Sequence, residues 1–456
     1  MLTKHIDMNY WSLSSKLIGA YACCGDLTSS KLLFQDTPNP NVFAFNWMIL
    51  TLTFSGFHEE AMGYFSLFQK SKINNSSPNK YTFSIILKCC VGLMDVDLGR
   101  QVHGMIAKLG FETDVSVCNA LIDMYGKCGE ICNAREVFDK MLGRDVVSWT
   151  TMIWYARTGD CDGAFEYFSR MAKEGLTADL VTWNAMISGF VQSERAIEAL
   201  ELFRDMLIAR IKPNQVTVTG LLPVCGMIGS IGKGREIHGV IYRTGLDINF
   251  FVASALIDMY SKCGSVEEAR NVFNTIRTKN AASWNAMIGC YGKHGMVNSA
   301  IKLFEKMINE EIQPNEVTLI SVLYACSHGG LVEKGLDIFR SIDSYGIKAN
   351  KEHYSCLIDL LCRYGRMDEA YDIVKHIGIE VTDSSIGAFL NGCKIHERRD
   401  LAEKISEHLR MELKRPGGFV TLSNIYSSEG KWGGVQDVRE VMKDKRVHKK
   451  PSFSTV

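Results

Sequence analysis

Fifteen cysteines and 11 histidines are the residues with which this chain could bind a metal or mount a nucleophile, and their spacing argues against both. Hydrolytic deamination on zinc needs His-x-Glu together with Pro-Cys-x-x-Cys, so that metal-bound water attacks a ring carbon while a non-ligand glutamate moves protons. The chain has no Cys-x-x-Cys, and its single His-x-Glu, His58 to Glu60, lacks a cysteine pair to complete a site. Gly232-Lys-Gly234 resembles the end of a phosphate-binding loop. However, no Gly stands five residues before Gly232, and Gly234 replaces the Ser or Thr that would hold magnesium. A turn between two helices accounts better for these glycines. No catalytic residue, metal site or cofactor is therefore expected.

The same residues recur by place. Cys90, Cys225 and Cys326 each close a Leu-x-x-Cys step, and Cys128 and Cys263 each sit in Lys-Cys-Gly. Small buried packing residues are expected there. His103 and His238 sit in Gln-Val-His-Gly and Glu-Ile-His-Gly, 135 residues apart, which points to packing or capping. An odd cysteine count on a chain without a secretory signal implies reduced thiols. Lys plus Arg equals Asp plus Glu at 51 each, so any polyanion must be held by a local groove rather than by a global field. No uninterrupted apolar window of membrane-spanning length exists, so no membrane association is expected.

The elements that must position these residues are repeats. Ala120-Leu-Ile-Asp-Met-Tyr125 returns at Ala255 to Tyr260, and Trp183-Asn-Ala-Met-Ile187 returns at Trp284 to Ile288. Units of 31 residues run 11–41, 115–145 and 250–280; units of 34 or 35 run 146–179, 180–214 and 281–315, with a stretched version at 42–79. A third kind, of 35 residues, runs 80–114, 215–249 and 316–350. Starts at 80, 115 and 146 recur at 215, 250 and 281, so one ordered cycle has been duplicated. Trp183, Met186, Ile187 and Phe190, then Ile197, Leu200, Leu202, Phe203 and Met206, give two helical stripes per unit. The fold expected is all-α, a right-handed α-solenoid of helix-turn-helix units. Gly129 to Ala134 and Gly264 to Ala269 mark inter-helix turns with a close approach at Ala. Most prolines mark unit ends (Pro213, Pro314) or breaks (Pro38, Pro40, Pro78, Pro416).

Val146-Val-Ser-Trp149, Leu180-Val-Thr-Trp-Asn184, Asn119-Ala-Leu-Ile-Asp-Met-Tyr-Gly-Lys-Cys-Gly129 and Glu316-Val-Thr-Leu-Ile-Ser-Val-Leu-Tyr-Ala-Cys-Ser-His-Gly-Gly-Leu331 resemble plant pentatricopeptide repeat proteins of the PLS class. Asn391-Gly-Cys-Lys-Ile-His396 and Leu422-Ser-Asn-Ile-Tyr-Ser-Ser-Glu-Gly-Lys-Trp432 resemble that family's E domain, and the chain ends without the DYW deaminase domain. The expected organisation is a short, incomplete N-terminal segment at 1–10 and an array of about 11 units at 11–382. A tetratricopeptide-like E-type extension at 383–449 and a tail at 450–456 follow.

The resemblance implies a site-recognition factor for cytidine-to-uridine editing of organellar RNA. It would bind single-stranded RNA as a monomer, with a DYW-type deaminase recruited in trans through the extension. The compartment implied is the mitochondrion, with the chloroplast as alternative, although Met1 to Asp7 form no evident targeting sequence. In the family the fifth and last residues of a unit read one base. Carried over, the pairs are Ser15/Asn41, Asn46/Asn79, Asn119/Asp145, Thr150/Asp179, Asn184/Asn214, Ser254/Asn280 and Asn285/Asn315. Asp can only accept and suits uracil or guanine, whereas Asn both donates and accepts and suits adenine or cytosine. Weaker positions are Ser84/Asp114 and Thr219/Asn249 in the third unit kind, where Ile320/Asn350 cannot follow the rule, and Ser355/Thr382 in the last unit. Val147 and Val181, with Val216 and Val317, flank bases. The expected 5′-to-3′ reading is A, pyrimidine, any, U, G, pyrimidine, any, A, pyrimidine, with C preferred at the three Asn/Asn units.

Two rivals compete with this reading: an RNA factor serving splicing, processing or stability, and a tetratricopeptide-like protein-binding scaffold. The terminal Asn and Asp could equally be helix caps, and both roles can coexist. The basic run Lys443, Lys445, Arg446, Lys449 and Lys450 offers phosphate contacts or a solvated tail.

Overall fold

A computed structural model describes residues 11–70, 77–157, 160–377, 383–398, 400–405, 416–428 and 430–444. Two compact units, Met1–Gly220 and Leu221–Val456, divide the chain. Among the described residues every regular element is helical.

Up to Gly220 the helices alternate as first and second members of hairpins. They are α1 Trp11–Cys23, α2 Leu27–Asp36, α3 Val42–Phe54, α4 His58–Lys70, α5 Lys80–Leu93, α6 Val96–Lys108, α7 Val115–Lys127, α8 Ile131–Lys140, α9 Val146–Ala156, α10 Cys161–Lys173, α11 Leu180–Gln192 and α12 Ala196–Ile208. The division into units falls within α13, Gln215–Met227. Then follow α14 Ile231–Thr244, α15 Phe250–Lys262, α16 Val266–Thr275, α17 Ala281–Lys293, α18 Val297–Asn309, α19 Glu316–Gly329, α20 Val332–Arg340, α21 Lys351–Arg363, α22 Met367–Ile377 and α23 Asp383–Ile395. A helical stretch at 400–405 (α24), α25 Pro416–Ser428 and α26 Trp432–Asp444 complete the described elements.

Within each unit, first helices pack on one another in succession: α5 on α7 and α7 on α9 in the first unit, α15 on α17 and α17 on α19 in the second. An amphipathic hairpin cannot bury its own apolar stripe, so the stack supplies the core. Trp149 and Trp284 are fully buried, each meeting a phenylalanine edge-on at 77°, Phe138 at 4.8 Å and Phe273 at 5.1 Å. His103 Nδ1 meets the Tyr125 hydroxyl at 3.0 Å, and His238 meets Tyr260 at 2.9 Å. The sequence duplication is thus a duplication of contacts, and the two histidines pack. Burial lowers the pKa of both.

All 15 cysteines are free. Cys90, Cys225 and Cys326 are fully buried, and burial pushes the Cys90 thiol up to about 12 and the other two to about 11. These thiols fill space and do not react. Gly129 and Gly264 turn the chain at φ 82° and 77°, and Ala134 and Ala269 behind them are fully buried.

One expectation needs correction. Gly232-Lys-Gly234 lies inside α14, not in a turn. A Cβ on Gly234 would sit 2.3 Å from the Met259 sulfur, as one on Gly99 would sit 2.5 Å from that of Met124, so these glycines permit a close helix crossing. Pro223 lies inside α13, where its ring removes one i-to-i−4 hydrogen bond. Gly234→Ala should therefore destabilise the protein by about 1–2 kcal/mol. Gly239→Ala, in the same helix with nothing within 4 Å of its Cβ position, should stabilise it by up to about 1 kcal/mol. Urea titration of both variants checks the sign of each change.

Beyond the last repeat the core continues without interruption. Leu357 and Leu361 of α21 join Leu390 and Cys393 of α23, Leu401, Leu422 and Ile425, and Val435 and Val438 of α26 in one buried cluster. No described helix is long and apolar enough to cross a membrane, and no group of three or more metal-ligating side chains occurs among the described residues.

Candidate nucleic-acid interface

From α3 to α21 each first helix starts with a cap, because its first N–H groups have no partner within the helix. Asn41, Asn79, Asp114, Asp145, Asp179, Asn249, Asn280, Asn315 and Asn350 are all N-caps with extended backbone, and their side-chain oxygens accept N–H groups of the first turn. Asn214 caps α13 in the same way, its Oδ1 accepting from Thr217 N at 3.0 Å. Last residue and cap are therefore one position. Capping decides what remains for a ligand.

In the three Asn/Asn units the fifth residue of one hairpin reaches the cap of the next. Asn46 Nδ2 donates to Asn79 Oδ1 at 3.3 Å, Asn184 to Asn214 at 3.3 Å, and Asn285 to Asn315 at 3.0 Å. The cap oxygen already takes a backbone N–H at 3.0 Å in each case. Its acceptor capacity is spent, and the cap Nδ2 group is left to donate. The sequence reading let these asparagines both donate and accept; the cap removes the acceptor.

Asp145 works in the opposite sense. Its Oδ1 accepts from Ser148 N and Oγ at 2.8 Å each and from Asn119 Nδ2 at 3.1 Å, while Oδ2 has no donor among the described residues. Burial pushes this carboxyl up, but the hydrogen bonds from Ser148 and Asn119 outweigh it and hold the group below the usual carboxylate range. An ionised acceptor faces outward here. Asp179 likewise takes Thr182 N and Oγ1 on Oδ1, at 2.9 and 2.7 Å.

The remaining pairs behave differently. Ser15 donates directly to Asn41 at 2.8 Å. Thr150 reaches Asp179 only through Thr182, hydroxyl to hydroxyl at 2.6 Å. Ser254 turns onto its own helix, donating to Phe250 O at 2.7 Å, and makes no direct hydrogen bond to Asn280. In the third unit kind Ser84 and Thr219 do the same with Lys80 O and Gln215 O, and Asp114 pairs with Lys80 at 3.4 Å. Ser355 meets Ser385 at 2.5 Å. Thr382, Lys445, Arg446, Lys449 and Lys450 lie outside the described residues, as do the 1–10 and 450–456 segments.

Beside the caps stands a row of apolar side chains in open solvent. Val147, Val181 and Val216 in the first unit, and Val317 in the second, are 55–63% exposed at the second position of their helices. Phe43, Tyr81 and Phe251 hold the same position and are 57–64% exposed, yet sequence reading passed over them. Their signal was register: an aromatic two places after a capping Asn.

The pattern of caps, unit lengths and core duplication has close relatives. A putative pentatricopeptide repeat-containing protein of Arabidopsis thaliana is 34% identical, over 98% of this chain and 70% of its own length. The chain belongs to the pentatricopeptide repeat family. A second relative from A. thaliana, named mitochondrial, is 38% identical over 97% of this chain and 67% of its own length, and a third, named chloroplastic, is 33% identical over 97% and 63%. Across eight such relatives the chain spans from 51% to 74% of their length.

PPR repeat family models match 178–226 and 279–328, PPR repeat models match 116–146, 251–280, 317–347 and 345–377, and an E motif matches 396–456. Three alternating unit lengths and the E motif make this a plant pentatricopeptide repeat protein of the PLS class with an E domain. The crystal structure of PPR10 from maize matches with a TM-score of 0.51 at 15% identity, covering 95% of this chain and 74% of that one. PPR10 in complex with an 18-nucleotide psaJ RNA element matches at 0.52 and 16%, covering 96% and 80%. The α-solenoid fold follows from these matches.

One further feature of this repeat protein escaped sequence reading. The last turn of several first helices carries a cation pinned by an acid four residues earlier: Lys127 by Asp123 at 2.9 Å, Lys262 by Asp258 at 2.7 Å and Arg363 by Asp359 at 2.7 Å. Lys293 reaches Asp258 of the preceding repeat at 3.5 Å. The Asp-x-x-x-Lys/Arg spacing within the recurring Leu-Ile-Asp motif was the available signal.

Proposed function

We propose that this chain binds one single-stranded RNA, a base per repeat, and specifies a site of cytidine-to-uridine editing in a plant organelle, the mitochondrion. It acts as a monomer, and a DYW-type deaminase protein bound through the helices from about 383 onward supplies the chemistry. One observation carries the reading. Caps at the helix starts present either a bare donor, at Asn79 and Asn214 in the first unit and Asn315 in the second, or a bare acceptor, at Asp145 and Asp179 in the first.

Watson–Crick edges differ in the complementary way. N3 of cytosine and N1 of adenine accept, whereas N3–H of uracil and N1–H of guanine donate. The exposed Val, Phe and Tyr row supplies faces on which unstacked bases lie, a contribution that tolerates sequence. Cations such as Lys127 and Lys293 stand one helix length from the base slots, where they can meet phosphates. Solved PPR10 holds RNA, relatives are named mitochondrial and chloroplastic, and the chain carries an E motif.

The test is selection of the purified protein against a randomised single-stranded RNA pool at moderate salt, followed by a search of organellar transcripts. The expected result is enrichment of A-C-n-U-G-C-n-A-C, with a matching site a few nucleotides 5′ of an edited cytidine. A pool that stays unenriched overturns RNA readout. Enriched sites that never precede an edited cytidine overturn the editing role and favour processing.

A further inference from the structure

We infer that Thr82, Thr217 and Thr318, the third residues of the repeats that follow the Asn/Asn pairs, are positioning residues that set base preference in the preceding slot. The inference rests on the RNA-reading function proposed above.

Asn184, Asn214 and Thr217 show the mechanism, and the other two sets repeat it. The Thr217 hydroxyl accepts the backbone N–H of Asn214 at 3.1 Å and so completes the cap from the far side. Its single proton has two acceptors in reach, Asn184 Oδ1 at 2.7 Å and the cap oxygen Asn214 Oδ1 at 3.0 Å, and the shorter contact goes to Asn184. Thr82 meets Asn46 Oδ1 at 2.7 Å, and Thr318 meets Asn285 Oδ1 at 2.6 Å. With its oxygen fixed on the threonine, the fifth asparagine must turn Nδ2 toward the cap. A flipped amide would place Oδ1 of Asn184 against Oδ1 of Asn214, two acceptors facing each other. The hydroxyl therefore locks the slot so that both asparagines offer N–H groups and neither offers an acceptor. A base with an acceptor at N3, cytosine, fits such a slot; uracil presents its N3–H to donors.

Departures elsewhere in the array isolate the effect. After Asn119/Asp145 the third residue is Ser148, whose proton goes to the carboxylate at 2.8 Å. Asn119 Oδ1 is left buried with no hydrogen-bond partner among the described residues. After the 80–114 repeat the position holds Val117, which is fully buried and has no hydroxyl, and Ser84 turns onto Lys80 O. The third unit kind lacks the bridging group, which gives its poor fit to the two-residue rule a structural cause.

The experiment uses the full chain and RNAs that differ only as C or U opposite the 180–214 repeat, or only as C or U opposite the 281–315 repeat. Wild type is expected to favour C about tenfold at each. Thr217→Val, which keeps the branched shape and removes the hydroxyl, should reduce the first ratio to within about twofold and leave the second unchanged. Thr318→Val should do the reverse, and Thr217→Ser should restore the first ratio. Retention of the tenfold ratio in both valine variants overturns the inference while the RNA reading stands. Equal weakening for C and U, or loss of helical signal, means that the hydroxyl only supports the cap, and also overturns it. A wild type without base preference at either repeat removes the RNA reading and this inference together.

Discussion

Asn214→Asp should invert the base preference of one slot, turning about tenfold for C over U into about tenfold for U over C, a hundredfold change in the ratio. Aspartate caps a helix as well as asparagine does, so Oδ1 would keep the Thr217 N–H now held at 3.0 Å, and stability should move by less than about 1 kcal/mol. What changes is the other end of the side chain. An N–H donor becomes a carboxylate oxygen, held ionised by the positive end of α13. Cytosine would then set its N3 lone pair against an anion, while uracil would donate its N3–H to it. The chain already contains this arrangement in Asn119 with Asp145, which serves as an internal reference for the variant. Competition binding with two RNAs differing at that base measures the ratio. Equal loss for both bases would sink base readout at this position.

Trp284→Ala should remove about 3–5 kcal/mol, the largest stability effect expected of a single substitution here. The indole is fully buried in α17 and packs edge-on against Phe273 at 5.1 Å, with Lys279 5.2 Å above that phenylalanine. Its loss leaves a cavity between the 250–280 and 281–315 repeats that neither hairpin can fill alone. In a stacked array each repeat couples to its neighbours, so the damage should stay local. Hydrogen exchange should show protection lost in α15–α18 and kept in α7 and α9. Asn285 lies on α17 itself, so preference at the Asn285/Asn315 slot should fail with it, whereas the Asn184/Asn214 slot keeps its own. A uniform loss of protection along the whole chain would refute repeat-by-repeat coupling.

Much of this molecule is legible in its residues. The 135-residue offset and the paired apolar stripes dictate hairpins, and a capping Asn or Asp at each boundary dictates where first helices begin, because orphan N–H groups at a helix start need a nearby oxygen. The placement of Cys90, Cys225, His103 and His238 as packing residues follows from recurrence alone. The fifth-to-last pairing, taken from the family resemblance, meets direct hydrogen bonds at five of the seven principal pairs.

Tertiary structure decided the rest, because it depends on groups from the next hairpin that no single unit contains. Whether an asparagine offers a donor or an acceptor is settled by which of its ends the cap consumes, and a threonine one repeat onward fixes its partner. Ser254 has the right type and register but finds a carbonyl of its own helix first. Gly232 and Gly234 look like turn residues until Met259 crosses above Gly234 and leaves no room for a Cβ. Composition and periodicity specify the helices and the order in which they stack. The orientation of a polar atom is set by competition among partners within about 3 Å, and those partners meet only in the folded stack.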